Sequence, residues 1–173
     1  MSTRLELPSL TLMDALDLAI LIEIEARDRY RLFARQLGDS GGYDAGAFFS
    51  DMAENEAKHG RDLLARRKEL FGETPARPTL DDLFDVEAPD MGAPRRGMST
   101  LEALQIGLAA EQKAHDFYDA ALPGITDPQV RALFEELRDE ETEHVRMLQE
   151  EMAKLPASAS FGVDYDLDES PYL

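Results

Sequence analysis

Apolar residues recur at helical spacing in four stretches of this chain, and segments rich in glycine, proline or charge separate them. Over residues 10–37 the series Leu12, Leu16, Ala19, Ile20, Ile24 and Leu32 runs with no proline after Pro8, which predicts a first helix. The Gly-Asp-Ser-Gly-Gly run at 38–42 ends it. A second helical pattern covers 45–71 through Phe48, Phe49, Met52, Leu63, Leu64 and Leu70. Residues 72–97 carry Pro75, Pro78, Pro89 and Pro94 and read as a long connection, in which the brief apolar patch 80–84 is suited to one helical turn. Ser99 followed by Glu102 is a capping box, so a third helix starts there and runs to about Leu122, before Pro123-Gly124. Asp127-Pro128 supplies an N-cap and a first helical residue for a fourth helix, reaching about Leu155. Phe33, Phe48, Phe117 and Phe134 are candidate core residues, while Glu25, Glu54, Glu136 and Glu143 read as surface charge.

This pattern is all-α, and 173 residues suit a single domain: a bundle over 1–155 followed by a short acidic tail, 156–173. The tail, tipped by Pro171-Tyr172-Leu173, reads as a loosely packed terminus. Composition then narrows the function. Thirty-six acidic against 18 basic residues leave a formal charge of -18, which opposes binding to nucleic acid or an anionic membrane. Zero cysteines exclude a disulfide framework, an iron–sulfur site and a thiolate zinc site within the chain. The most apolar early stretch, 15–24, is broken by Asp17 and Glu23 and falls far short of the roughly 20 residues that span a bilayer. With no basic-then-apolar leader, a soluble, cytoplasmic protein is the expectation.

The strongest chemical signal is a repeated order of residues: Glu, Glu-x-x-His, Glu, Glu-x-x-His. Glu23 precedes Tyr30 by seven residues, as Glu111 precedes Tyr118, and Glu56 with His59 is matched by Glu141 with His144. Positions i and i+3 lie on one helix face, so each Glu-x-x-His aims a carboxylate and an imidazole the same way. In a helical hairpin, residues equidistant from the turn sit at equal height. The midpoint of Glu23 and Glu56 falls in the 38–42 turn, and that of Glu111 and Glu141 falls between Pro123 and Pro128. A hard, oxygen-rich donor set of this kind suits iron or manganese. One Glu-x-x-His alone is commonly a solvated helix face. Two in register, each with its Glu and Tyr, leave as the alternative a bundle that keeps them as paired buried polar groups.

Four helices, a long link between the second and third, and this ligand order resemble the ferritin-like superfamily. More narrowly, Glu23-Ile-Glu-Ala-Arg-Asp-Arg-Tyr30 and Asn55-Glu56-Ala-Lys-His59 are similar to the corresponding stretches of rubrerythrins, over about residues 10–155. The resemblance implies a ferritin-like antiparallel four-helix bundle with a long crossover between helices 2 and 3. It also implies that Glu56 and Glu141 bridge or chelate two metal ions, that His59 and His144 each bind one, and that Glu23 and Glu111 are terminal ligands. Tyr30 and Tyr118 would hydrogen-bond ligand carboxylates, and Asn55 and Glu140 are candidates for holding the imidazoles. The chain departs from the pattern in two ways. Rubrerythrins commonly have a further Glu three residues after the third-helix ligand, where this chain has Ala114, and no rubredoxin module is present. Both departures count against the familiar peroxide route. His115, one turn beyond Glu111, could reach the metal, although its counterpart Arg27 cannot.

The expected function is a non-haem di-iron protein that oxidises Fe(II) with O2 or H2O2 and draws electrons from a separate donor protein, acting as a ferroxidase or peroxidase in oxidative stress. The alternatives are an iron-binding and delivery protein without turnover, a di-manganese centre, or a structural bundle with no metal. The family tendency points to a homodimer.

Overall fold

The computed structural model describes residues 11–38, 45–78 and 98–155. These form four long α-helices: α1 Leu12–Leu37, α2 Ala45–Phe71, α3 Thr100–Ala121 and α4 Pro128–Lys154, with a short 3-10 turn, Leu122–Gly124, between α3 and α4. There is no strand among the described residues.

Local chemistry sets where the helices begin. Thr11 and Ser99 are reciprocal capping boxes: each hydroxyl accepts the backbone N–H three residues on, from Asp14 or Glu102, whose carboxylate accepts the cap's own N–H. The two caps stand 88 residues apart, the same offset as Glu23 to Glu111, so the internal repeat extends to the helix starts. The Asp127 carboxylate accepts the N–H groups of Gln129 and Val130, with Pro128 fixing the first helical φ. At the end of α3, Arg131 Nη2 donates to the carbonyls of Leu122 at 2.7 Å and Ile125 at 3.1 Å, adding a side-chain donor to the turn that the Ile125 N–H closes on Leu122.

Two apolar clusters fill the bundle and give its topology. In one, Leu16 and Ile20 of α1 pack with Tyr118 and Ala121 of α3 and Val130 and Leu133 of α4. In the other, Phe33 and Leu37 of α1 and Phe49 of α2 pack with Leu104 of α3 and Leu148 of α4. The start of α1 therefore lies at the α3–α4 turn, and the start of α3 at the end where α1 gives way to α2. Helices α2 and α3 run parallel, so the connection between them joins opposite ends of the bundle: a ferritin-like four-helix bundle with a long crossover. The beginning of that connection is tied down. The Arg67 guanidinium grips buried Asp17 at 2.7 and 3.3 Å and donates to the carbonyls of Gly72 and Thr74, and Arg77 pairs with Asp14.

Phe33 and Phe134 are fully buried, while Phe48 and Phe117 pack half-buried at the edges of the clusters. Leu64 and Leu70, counted in the apolar pattern of α2, are about half exposed, at 49% and 48%. Leu63 takes the inward position, and Leu64 stands roughly 100° round the helix from it. Arg67 takes the inward position of the next turn, leaving Leu70 outside. The expected turn at 80–84 and the tail 156–173 lie outside the described residues.

Candidate metal centre

Between the two apolar clusters lies a polar layer, and every helix contributes to it. Glu23, Glu56, Glu111 and Glu141 are 2–4% exposed and His144 is 4% exposed, while His59 is less enclosed, with 17% of its side chain accessible. His144 Nδ1 lies 3.2 Å from Glu56, 3.5 Å from Glu111 and 3.8 Å from Glu141. His59 Nδ1 lies 3.5 Å from Glu23 and 3.8 Å from Glu56, and its Nε2 lies 3.8 Å from Glu140. The two imidazoles face each other nearly parallel, with centroids 5.5 Å apart. Glu56 sits beside both histidines, so the hairpins are joined at this carboxylate. All six residues singled out by the repeat thus meet in one layer.

Three overlapping sets bring ligand atoms within 4.8 Å of one another: Glu56–His59–His144, Glu111–Glu141–His144 and Glu23–His59–Glu140. Whether a cation fits can be judged from unmet bonds. Glu23 Oε2, Glu141 Oε2, His59 Nδ1 and His144 Nδ1 are buried with no hydrogen bond of proper geometry. Such atoms are costly in a protein interior unless something compensates them. Four buried carboxylates balance the charge of two divalent cations, and oxygen with imidazole nitrogen is the donor chemistry of iron and manganese. The donor set fits a dinuclear metal site.

In the absence of a cation, protons settle unevenly. Burial raises the Glu111 carboxyl, but the neighbouring Glu141 carboxyl, the His144 imidazole 3.5 Å away and the Tyr30 hydroxyl outweigh it and pull Glu111 down to about 2. Glu141 moves the other way, pushed up by burial and by the charge of Glu111, and so carries the proton between them. The Glu23 carboxylate 3.5 Å away, against burial, raises His59. Burial first, then the charges of Glu111 and Glu56, hold Tyr30 well above its usual range. Tyr30 therefore remains a phenol and donates to Glu111 Oε1, reaching from α1 to the carboxylate of α3.

A residue outside the sequence reading makes room for that bond. A Cβ on Gly107 would come within 3.3 Å of Tyr30 Cε1 and 3.2 Å of Leu148 Cδ2, so the bare α3 backbone there admits the tyrosine ring. The available signal was a glycine inside a helix one turn before a ligand candidate, where it costs roughly 1 kcal/mol relative to alanine. Tyr118 is buried as completely as Tyr30, edge-on to Phe134 with centroids 5.2 Å apart. Glu140 lies beside the imidazole of the opposite hairpin. His115 stands apart from the layer: its Nδ1 lies 3.2 Å from Asp116 at the surface, because residue i+4 on α3 has rotated past the inward face. Ala114 is fully buried in the apolar cluster.

The sequence profile of the Rubrerythrin family matches residues 14–152, a span that contains all six residues of the layer. The chain belongs to that family. This rubrerythrin-family chain is also similar in structure to an uncharacterized conserved protein from Magnetospirillum magnetotacticum MS-1, with a TM-score of 0.72 and 26% identity over 85% of this chain and 97% of that one. No curated protein sequence matches it. None of the described helices is long and apolar enough to cross a membrane.

Proposed function

We propose that this protein binds two iron ions in the layer between its four helices and oxidises Fe(II) with O2 or H2O2. One observation carries the reading: four buried carboxylates and two imidazoles, four of their atoms lacking hydrogen bonds, converge in the middle of a rubrerythrin-family bundle. Glu56 and Glu141 would bridge or chelate the ions, with Glu23 and His59 on one side and Glu111 and His144 on the other. When bound, two Fe(II) supply the two electrons that break the O–O bond of H2O2, which takes up two protons to leave two waters and two Fe(III).

The chain's own residues hold that site and its protons. Tyr30 fixes Glu111 through a charge-assisted hydrogen bond, and Glu140 orients His59 from across the bundle. Glu141 releases its proton as a cation arrives. The apolar clusters on either side exclude bulk water. With no cysteine in the chain, repeated turnover requires electrons from a separate donor protein. That feature also favours a second reading, a single oxidation followed by delivery of ferric iron.

Anaerobic titration with Fe(II), followed by separate exposure to O2 and H2O2, tests the proposal. The expected result is saturation at two irons per chain, oxidation by at least one of the oxidants, and loss of both in Glu56→Ala. Absence of stoichiometric Fe(II) binding would overturn it, and the same titration with Mn(II) would then decide for or against manganese. Re-reduction by an added donor separates turnover from delivery.

A further inference from the structure

The two histidines of the layer are not equally enclosed, and a pocket explains the difference. His59 lies at the bottom of a recess of about 110 Å³ between α2 and α4, with Leu133 and Leu137 as its apolar wall. Its rim carries Asp62, Arg66 and Glu136, with Glu140 further in beside His59. Arg66 pairs with Glu136 at 3.5 Å, which leaves a net negative mouth. At the inner end, Glu140 and His59 meet Glu23, whose Oε2 is buried without a hydrogen bond. A volume of this size holds several waters, since one water needs only roughly 10–15 Å³ by the same measure.

The bundle's own repeat supplies the comparison. The Glu-x-x-His helices correspond with an offset of 85 residues, so the opposite face has Met147 for Asp62, Glu151 for Arg66, Phe48 for Leu133, Asp51 for Glu136 and Asn55 for Glu140. There, Phe48 and Met147 pack against the apolar cluster. The His144 side chain is 5% exposed, against 17% for His59. Among these positions the reversal of character is at Asp62, charged on the His59 face where Met147 packs on the other, while Arg66, Glu136 and Glu140 have the polar counterparts Glu151, Asp51 and Asn55.

We propose that the His59 pocket is the portal through which a divalent cation reaches the centre, Asp62 and Glu136 drawing it in and Glu140 passing it to His59 and Glu23. The proposal rests on the metal-binding reading above. Clefts lined by one sign of charge raise the local concentration and arrival rate of the opposite ion. Arg66, opposing the cation at the rim, slows this traffic.

Stopped-flow mixing of metal-free full-length protein with Co(II), read by the ligand-field absorbance of the bound ion, measures arrival rate and final stoichiometry separately. The double substitution Asp62→Asn and Glu136→Gln is expected to slow arrival by about threefold to tenfold at low ionic strength, with the difference shrinking in high salt. Arg66→Gln is expected to quicken it. Asp62→Met, which places at the portal the residue of the closed face, is expected to slow arrival at both salt concentrations because its effect is steric. The control is Asp51→Asn with Glu151→Gln, the same change in net charge on the opposite face, expected to leave the rate unaltered. Equal slowing by the two double substitutions, or none by either portal variant, would overturn the portal while leaving two bound ions per chain intact. Failure of the unmodified protein to bind Co(II), Fe(II) or Mn(II) would overturn the metal reading and the portal with it.

Discussion

The hairpin α1–α2 and the hairpin α3–α4 match closely at the centre of the bundle and differ where the chain has one-sided tasks. Their caps, ligand candidates and tyrosines correspond, as do Phe49 and Phe134 beside those tyrosines, and Ala26 and Ala114 one turn from Glu23 and Glu111. Away from the layer the match breaks. Asp17 and Arg67, which anchor the start of the crossover, stand opposite Gln105 and Met152, and Asp62 on the rim of the His59 pocket stands opposite Met147. A two-fold centre asks the same of both halves. Connecting the hairpins, and opening the centre to solvent on one face, do not.

The largest expected effect tests the sameness. Glu56→Ala and Glu141→Ala occupy equivalent positions, so each is expected to abolish two-ion binding, measured by metal analysis after desalting. A variant that retained both ions while its counterpart lost them would break the equivalence of the halves at the ligand layer.

Next in size is the response to pH of the metal-free protein. Glu141 and His59 both titrate above their ordinary ranges in the folded state. Their stabilisation is complete below the unfolded values, near 4.5 and 6.5, and is lost as pH rises through the raised folded values. Glu111 has the opposite sign: lowered to about 2, its contribution is already complete above 4.5 and does not change in this window. The Tm of the metal-free protein is therefore expected to fall between about pH 5 and pH 8, while the metal-loaded protein, whose carboxylates face cations, does not follow it. Loading in weak buffer should release protons, read with a pH indicator. A parallel decline of both forms would sink this account.

These contacts also show what sequence could and could not tell. Helical periodicity, the capping box at Ser99 and the N-cap at Asp127 located the helices, and equal distance from each turn paired Glu23 with Glu56 and Glu111 with Glu141. Each of those inferences is local to one hairpin. Contacts between hairpins depend on how the two dock, which no spacing encodes. The donation from Tyr30 to Glu111 and the approach of Glu140 to His59 could be narrowed to candidates but not assigned, and Gly107 had no visible reason to be there. Leu64 and Leu70 mislead for a different reason: apolar character does not say which side of α2 a residue occupies, and Leu63 and Arg67 take the inward positions of those turns.

A smaller effect probes the asymmetry at the crossover. Arg67→Met makes the first hairpin resemble the second, but it leaves Asp17 buried beside the wrong neighbour. It is expected to lower Tm well below that of Met152→Ala, and adding Asp17→Asn should recover part of the loss. No recovery in the double substitution would mean that the guanidinium acts mainly through the Gly72 and Thr74 carbonyls, tying the returning chain rather than neutralising Asp17.

The smallest effect concerns the two capping boxes, alike in sequence but not in surroundings. Ser99 is 4% exposed and Thr11 is exposed, and Asp14 has a second partner in Arg77. Removing the Ser99 hydroxyl strips Glu102 N–H of its acceptor and the Glu102 carboxylate of one donor, so Ser99→Ala is expected to cost about 1 kcal/mol in urea unfolding. Thr11→Ala removes the same bonds, yet Asp14 stays fixed by Arg77 and by the backbone N–H of residue 11. Its cost should therefore be smaller, and it should rise when Arg77→Ala is added. Equal costs with Arg77 present would show that the guanidinium does nothing to hold the start of α1. The symmetry of the hairpins would then reach to their first residues.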